Sequence, residues 1–398
     1  MKNVMKQKIK QIVKKIAIVT AFIAVSSLSF AQSSGLTNLD WSKVEKQAKG
    51  QTVYFYAWGG SQQINDYLRW VDKQLQQQFD VRLQHVKVND ISTAISRLLA
   101  EKAAGKTSAG TIDMVWINGE NFKNMKQNQL ITQPFVQQLP NWQFVNTDFP
   151  VNNDFTEPTE GLEAPWGIGQ LIFIHDKKRT PTPPTSMTKL LQFAKQNPNK
   201  FSYPQPPSFH GTGFLKTALL ELVEDPALLY QAVDKNTFSK ITNPLWQYLD
   251  QLHPVSWHQG KQFPTSSAHT LQLLDDGELD LAISFNPNEV SSAQSNGTLA
   301  DTTDSYAMTN GALSNIHFLS IPFNANAKEG ALVAINFLLS PVAQSKKGDL
   351  KQWGDPSVLK KQYISGSAAN TKLFKSVAEP HPSWQAALEQ EWQKRYGH

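Results

Sequence analysis

The side chains best suited to binding a small molecule stand in short polar loops beside apolar segments. Tryptophan, glutamate, histidine and several amides recur in these loops, where they supply stacking faces, charge and hydrogen bonds. Aromatic walls with a few convergent polar groups are typical of sites for small organic molecules. The residues that we predict to form such a site are Trp58, Gly59, Gly60, Ser61, Asn118, Glu120, Trp166, Gly167, His210, Gly211, Thr212, Gly213, Asn286 and Asn288.

Segment 51–71, QTVYFYAWGGSQQINDYLRWV, predicts a strand, a tight loop and a helix. Apolar residues on both faces indicate a strand buried in a parallel sheet, with Tyr54 and Tyr56 in the core. Ser61 is predicted to cap the following helix. Such a loop places free N–H groups beside a cleft, and Trp58 would form an aromatic wall of that cleft. The alternative is that Trp58 only anchors the core and that the glycines only form a turn.

The other candidate residues follow further predicted strands or begin a helix. Strands are predicted over 81–88, 112–117, 279–285 and 316–322, and their alternation with helical segments favours a parallel, doubly wound α/β sheet. Segment 162–175 is predicted to contain two extended pieces that flank Trp166 and Gly167, where the chain would cross into a second lobe. Segment 201–207 is predicted to be a short strand, and the glycine-bearing stretch after it begins a helix.

Motifs for catalysis and for cofactors do not occur in the chain. There is no G-x-S-x-G, no complete G-x-G-x-x-G or P-loop, no H-E-x-x-H and no cysteine, so neither cofactor nor metal is expected. An iron site would need paired tyrosines, and Tyr54 and Tyr56 are predicted to be core residues. The interpretation from a different class is a secreted hydrolase that uses Ser61 and His210 in the same cleft.

The N-terminus has the pattern of a secretory signal peptide. Six lysines precede or border the apolar run 16–30, and small residues favour cleavage before Gln32. The alternative is a retained N-terminal anchor. Residues 1–31 contain no acid, so the mature chain has 32 basic and 33 acidic residues, a net charge of −1 that gives no reason to expect nucleic acid. Without cysteine it is not a lipoprotein, and we expect a periplasmic protein.

A late segment, ALVAINFLLSPVAQ at 331–344, resembles the signature of extracellular solute-binding proteins of ABC importers. The order of the leader, the strand-loop-helix start, strand 112–117 and the approach GELDLAI at 277–283 also matches that family. The resemblance implies the type II periplasmic binding fold, near the thiamine binders: two α/β lobes joined by a hinge. It implies a monomer that delivers one solute to a membrane permease and its ATPase.

Chain order suggests the division into lobes. Lobe 1 is predicted to comprise 32–163 plus 314–348, and lobe 2 to comprise 164–313 plus 349–398, after a signal peptide over 1–31.

The aromatic and acidic residues predict the character of the solute. Trp58 and Trp166 suit cation–π contact or stacking, and Glu120 would balance one positive charge. No Arg or Lys falls in the predicted site loops. We therefore expect a neutral or cationic organic solute with a flat ring or apolar face, such as a thiamine-like compound, a polyamine or a sugar, rather than an inorganic anion.

Overall fold

The computed structural model describes residues 39–397, which form an α/β fold with two larger sheets and a small β-hairpin. The predicted signal peptide lies outside the described residues. The helices of the described part are α1 (Trp41–Ala48), α2 (Gln62–Phe79), α3 (Ser92–Ala103), α4 (Glu120–Gln127), α5 (Met187–Gln196), α6 (Phe209–Leu222), α7 (Phe238–Leu252), α8 (Ser267–Asp275), α9 (Glu289–Ser295), α10 (Lys328–Leu338), α11 (Pro341–Gly348) and α12 (Ser383–Tyr396). The strands are β1 (Thr52–Trp58), β2 (Arg82–Val88), β3 (Met114–Ile117), β4 (Asn153–Asp154), β5 (Glu157–Pro158), β6 (Glu163–Gln170), β7 (Ile172–Asp176), β8 (Leu281–Ser284), β9 (Thr303–Tyr306), β10 (Ala312–Ser320) and β11 (Ser376–Ala378).

The first sheet contains six strands in the order β11-β10-β3-β1-β2, with β6 paired to β10. β1 runs parallel to β2 and to β3, and Phe55 of β1 stands opposite Met114 of β3. β10 is antiparallel to β3 and β6. The sheet is therefore mixed. The prediction of a parallel sheet is right for β1 to β3 and wrong for β10, because β10 enters the sheet from the opposite direction.

The second sheet has three strands in the order β8-β7-β9, and both pairings are antiparallel. Phe173 of β7 lies between Ile283 of β8 and Tyr306 of β9. The chain passes from the first sheet to the second directly after β6, since only Leu171 separates β6 from β7. One backbone crossing thus connects the two sheets without an intervening loop.

Both sheets are covered by helices on their two faces. In the first sheet, Phe55 packs in a core with α2 and α10, whereas Val115 packs on the other face with α3 and α4. In the second sheet, Phe173 packs with α5, α6, α7 and α12, and Ile174 packs on the other face with α8 and α9. We call the elements packed on the first sheet the first body and those packed on the second sheet the second body.

The predicted lobe boundaries remain a prediction, and the late segments of the chain pack in both bodies. Residues 316–339 contribute to the core of the first body. The last helix, α12, contributes Trp384 and Trp392 to the core of the second body. Trp353, between these two segments, packs in the core of the first body. No helix within residues 39–397 is long and apolar enough to cross a membrane.

Two local predictions are wrong. The prediction places Tyr54 in the core, but 45% of its surface is exposed, since the face of β1 opposite Val53 and Phe55 is less completely covered. Tyr56 is partly buried against the core around α3. Segment 201–207 is not a strand, although Phe201 and Tyr203 are buried in the second body.

Candidate functional site

The loop after β1 is built largely as the sequence predicts. Ser61 is the N-cap of α2, and its Oγ accepts a hydrogen bond from the N–H of Ile64. The indole of Trp58 lies against Gly60, where a Cβ would collide with the ring. Asn65 fixes the loop by donating to the carbonyl of Gly59 at 3.0 Å. Trp58 is partly exposed and also packs against the first core, so both interpretations of this tryptophan describe part of its surroundings.

Trp166 and Gly167 do not lie in a loop, which corrects the prediction for both. β6 runs through them, and Trp166 is completely buried in the first body. Its ring contacts Trp116 at 5.0 Å and Trp353 at 5.2 Å between centroids. A buried Trp in that position contributes to the core and is not an aromatic wall of a cleft.

Gly167 is a glycine because a charged cluster lies against its backbone. A Cβ there would collide with Asp355 and His317 and would approach the Lys347 ammonium. Lys347 forms an ion pair with Asp355, and His317 Nε2 lies 3.1 Å from the same carboxylate. Burial alone would raise the pKa of Asp355, but Lys347 and His317 hold it below its usual range. This triad is buried and belongs to the first body alone.

The predicted helix start in the second body is present, and Ser208 caps it by accepting from the N–H of Gly211. Gly211 is required because a Cβ would collide with the carbonyl of Pro204, and a Cβ at Gly213 would collide with Phe285. His210 packs against Phe285 with ring centroids 5.5 Å apart. Burial lowers the pKa of His210 to about 4, so the imidazole is neutral at pH 7.

Asn286 and Asn288 follow β8 as predicted, but their amides are engaged with the chain itself. Asn286 Nδ2 donates to the carbonyl of Trp353 at 3.0 Å, and Asn288 Nδ2 donates to that of Gly354 at 2.8 Å. These bonds link the second body to a segment that packs in the first. The amide donors of both residues therefore bind the backbone of segment 353–354 in this structure.

Two carboxylates, one from each body, act on each other electrostatically near α6. Glu120 begins α4 in the first body, directly after the loop that contains Asn118 and Gly119. Glu389 lies on α12 in the second body and accepts a hydrogen bond from Thr212 Oγ1 at 2.7 Å. Burial raises the pKa of Glu389 to about 7; the Thr212 hydrogen bond opposes this shift, and the Glu120 and Asp90 charges add to it. Burial also raises the pKa of Glu120.

The positive charge of Lys216 acts on both of these carboxylates. It lies on α6 one turn after Thr212, and only 2% of its side chain is exposed. Its Nζ lies 2.7 Å from Glu379 Oε2, just after β11, and 4.7 Å from the ring centroid of Phe155. Two partly buried acids and one buried lysine, contributed by both bodies, therefore act electrostatically on one another.

The structure thus brings together some of the predicted residues and adds others. Glu389 accepts a hydrogen bond from Thr212 and is acted on by the charge of Glu120. Trp166 and Gly167, in contrast, belong to the core. Glu389 lies in the helical sequence SWQAALEQEWQKRY, where no motif distinguishes it. Lys216 could have been found from the sequence, because it is a single charge inside the apolar helical run GFLKTALL.

The hydrolase interpretation and a metal site receive no support from these contacts. Ser61 Oγ is engaged with Ile64 N and Gln63 Oε1, and within residues 39–397 it forms no hydrogen bond with His210. In the same part of the chain no group of three or more His, Cys, Asp or Glu side chains is arranged to hold a metal ion.

Two α/β bodies, joined by strands that pass from one sheet into the other and facing each other with polar loops, define the type II periplasmic binding fold. The family model described as bacterial extracellular solute-binding protein matches residues 70–375, and the chain belongs to this family. Proteins of this family bind small molecules for ABC importers, together with a permease and an ATPase, in the periplasm or outside the cell. The family and the fold are those of binding proteins, not of enzymes.

Comparison with individual proteins agrees with this assignment. The chain is 45% identical over 365 residues to protein YnjB of Escherichia coli K12, covering 90% of this chain and 94% of YnjB. The periplasmic binding protein AfuA of Actinobacillus pleuropneumoniae, solved with fructose-6-phosphate, is 16% identical with a TM-score of 0.63, covering 87% of this chain and 99% of AfuA. The spermidine/putrescine ABC transporter substrate-binding protein PotD of Streptococcus pneumoniae is 12% identical with a TM-score of 0.60, covering 87% and 96%. At these identities the solved structures show the fold alone.

Proposed function

We propose that this protein captures a small organic solute with a positive charge between its two bodies and delivers it to the permease of an ABC importer. The observation that carries the proposal is the carboxylate of Glu389 on the second body, which Thr212 orients through a hydrogen bond of 2.7 Å and on which the charge of Glu120 from the first body acts. Two acids held together in a partly buried place repel each other, and a cation between them would relieve that repulsion.

The aromatic side chain at the end of β1 supports a solute with a flat or apolar part. Trp58 is partly exposed beside the Gly60 loop, in the same body as Glu120. An indole is the side chain best suited to cation–π contact and also stacks on flat rings. We therefore rank thiamine-like compounds first and polyamines second, with sugars as the neutral alternative. The solved neighbours do not decide this order, since AfuA holds a sugar phosphate and PotD is named for polyamines.

Further parts of the proposal concern the setting in which the protein works. We infer a cleaved signal peptide before Gln32, no lipid anchor because the chain has no cysteine, a monomer, and no binding of nucleic acid. The lobe boundaries given above belong to the same proposal.

A thermal-shift screen tests the proposal, because a ligand that binds only the folded state raises the melting temperature. The panel contains thiamine, spermidine, putrescine, maltose and inorganic phosphate. We expect a cation to give the largest shift and Glu389→Gln to reduce it strongly. The matched control is Glu224→Gln, at an exposed position, which should preserve the shift. A shift with phosphate alone, unchanged in Glu389→Gln, would contradict the proposal.

A further inference from the structure

The ring of Phe155 is held in an unusual place. Phe155 and Thr156 form the two-residue turn between β4 and β5, and Phe155 has a φ of 52°. This left-handed conformation is uncommon for a bulky residue and is retained only where the surroundings impose it. Its ring covers Gly119, where any Cβ would collide with it. The turn thus carries an aromatic ring where a glycine or asparagine would be the usual residue.

The hairpin that carries Phe155 is fastened to the first body. Asp154 accepts a hydrogen bond from the N–H of Gly119, at the beginning of α4. Lys126 of α4 donates to the carbonyl of Pro158 at 2.7 Å and lies 3.0 Å from the carboxylate of Glu157. The ring of Phe155 is thus positioned by the first body.

The Phe155 ring also meets a cation from the second body. Lys216 belongs to α6, whose neighbouring residues Phe214, Leu215 and Leu219 are buried in the second core. Its ammonium lies 4.7 Å from the ring centroid of Phe155 and 2.7 Å from Glu379 Oε2. Glu379 in turn accepts from Asn315 Nδ2 of β10 at 3.0 Å, so both contacts lead into elements of the first sheet.

We propose that Phe155 and Lys216 form a clasp that holds the two bodies together in the arrangement that the structure shows. A cation–π contact between desolvated groups is favourable, and the Glu379 carboxylate attracts the same ammonium. When the bodies separate, Lys216 must leave Phe155, Glu379 or both, so the clasp opposes opening even without a solute. The clasp concerns the approach of the bodies and does not depend on the identity of the solute.

The experiment measures the distance between the bodies by electron–electron double resonance on the unliganded protein. The chain has no native cysteine, so spin labels can be attached at Asn89→Cys and Gln390→Cys, two exposed positions. Each is next to an acid, Asp90 or Glu389, and the charge of Asp90 acts on Glu389 across the junction. Opening should therefore lengthen the distance between these labels.

Two variants break the clasp in different ways. Lys216→Met with Glu379→Gln removes both charges of the ion pair together, and Phe155→Leu removes the ring only. The matched control is Lys372→Met, which removes an ammonium 5.1 Å from the ring of Phe374, two residues away. We expect both clasp variants to increase the long-distance fraction at least threefold and the control to leave it unchanged.

An unchanged distance distribution in Phe155→Leu would overturn the clasp, provided that its thermal unfolding stays cooperative. Should the Lys216→Met with Glu379→Gln protein not fold, Phe155→Leu decides alone, since Phe155 is only partly buried at a hairpin turn. An equal increase in the Lys372→Met control would also overturn it, because the effect would then not arise at this contact.

Discussion

Two buried lysines in this protein pair with carboxylates, and they do so in different settings. Lys347 meets Asp355 inside the first body, donates to the carbonyl of Pro356 at 3.1 Å and shares its carboxylate with His317. Lys216 extends from the second body to Glu379 at 2.7 Å, but without the geometry of a hydrogen bond. The ammonium of Lys347 donates hydrogen bonds to two oxygens, whereas that of Lys216 forms an ion pair without a hydrogen bond.

The difference follows from which elements supply the partners. All groups around Lys347 pack on one sheet, so nothing in their arrangement needs to change. The groups around Lys216 come from both bodies, whose relative position is expected to change in a solute-binding protein. A buried ion pair is therefore structural at Lys347 and adjustable at Lys216, and the following predictions test or refine this contrast.

The largest change in the free energy of unfolding is expected when the Lys347–Asp355 pair inside the first body is broken. Asp355→Asn leaves the Lys347 ammonium buried without a counter-charge, which costs about 3–5 kcal/mol of unfolding free energy. Urea unfolding of wild type and variant measures the difference. The distance between spin labels at positions 89 and 390 should not change. A variant as stable as wild type would show that this triad does not hold the first body together.

A smaller change in stability, which depends on pH, is expected when Glu389 between the two bodies is substituted. The pKa of Glu389 is raised to about 7 from a reference of 4.5, so the folded protein loses stability as pH rises from 4.5 to 7. Glu389→Gln removes this loss and should stabilise the unliganded protein at pH 8 by up to about 3 kcal/mol, with little change at pH 4. Melting curves at both pH values measure it, with Glu224→Gln as control. An equal stabilisation at pH 4 and pH 8 would contradict the raised pKa of Glu389.

Solute binding tests the aromatic part of the site without touching either lysine. Trp58→Ala should weaken binding of thiamine by about 1–2 kcal/mol, close to tenfold, because it removes a cation–π face. Calorimetry on the two proteins gives the ratio. The matched control is Trp142→Phe, a partly buried tryptophan of the first body outside the junction. Equal affinities of wild type and Trp58→Ala would assign Trp58 to the core alone.

The smallest effect is expected at the strand residue that the sequence placed in the core. Tyr54 is exposed, and substitutions at such surface positions usually stay within about 0.5 kcal/mol. Tyr54→Thr keeps a residue that favours strands, so its unfolding free energy should match that of wild type. A loss of more than about 2 kcal/mol in urea unfolding would show that the tyrosine is buried after all.

Helix caps and glycines in the sequence correctly predict the beginnings of the two helices beside the proposed site. Ser61 begins α2, and the glycine-bearing stretch after Ser208 begins α6, because caps and glycines act through neighbouring backbone. The binding class and the fold also agree with the family and the structural comparisons.

The rest depends on contacts between distant segments, which periodicity does not show. Trp166-Gly167 interrupts an apolar run and so predicts a loop, but the glycine there makes room for Asp355, 188 positions later in the chain. Glu389 has an ordinary place on a helix of mixed composition, and only the fold brings its carboxylate to Thr212 and under the influence of the Glu120 charge. The acid that completes the proposed site therefore could not be found before the two bodies were placed together.

The central claim is that acids from both bodies bind one cation, and titration calorimetry tests it most directly. Thiamine, spermidine and inorganic phosphate are titrated into wild type, Glu120→Gln, Glu389→Gln and the control Glu224→Gln at pH 6 and pH 8. The account predicts that one of the two cations binds wild type, more tightly at pH 8 because Glu389 is then ionised. Each site variant should lose at least about tenfold in affinity, which is one charge-assisted contact. Tight binding of phosphate, undisturbed by Glu120→Gln and Glu389→Gln, would contradict it.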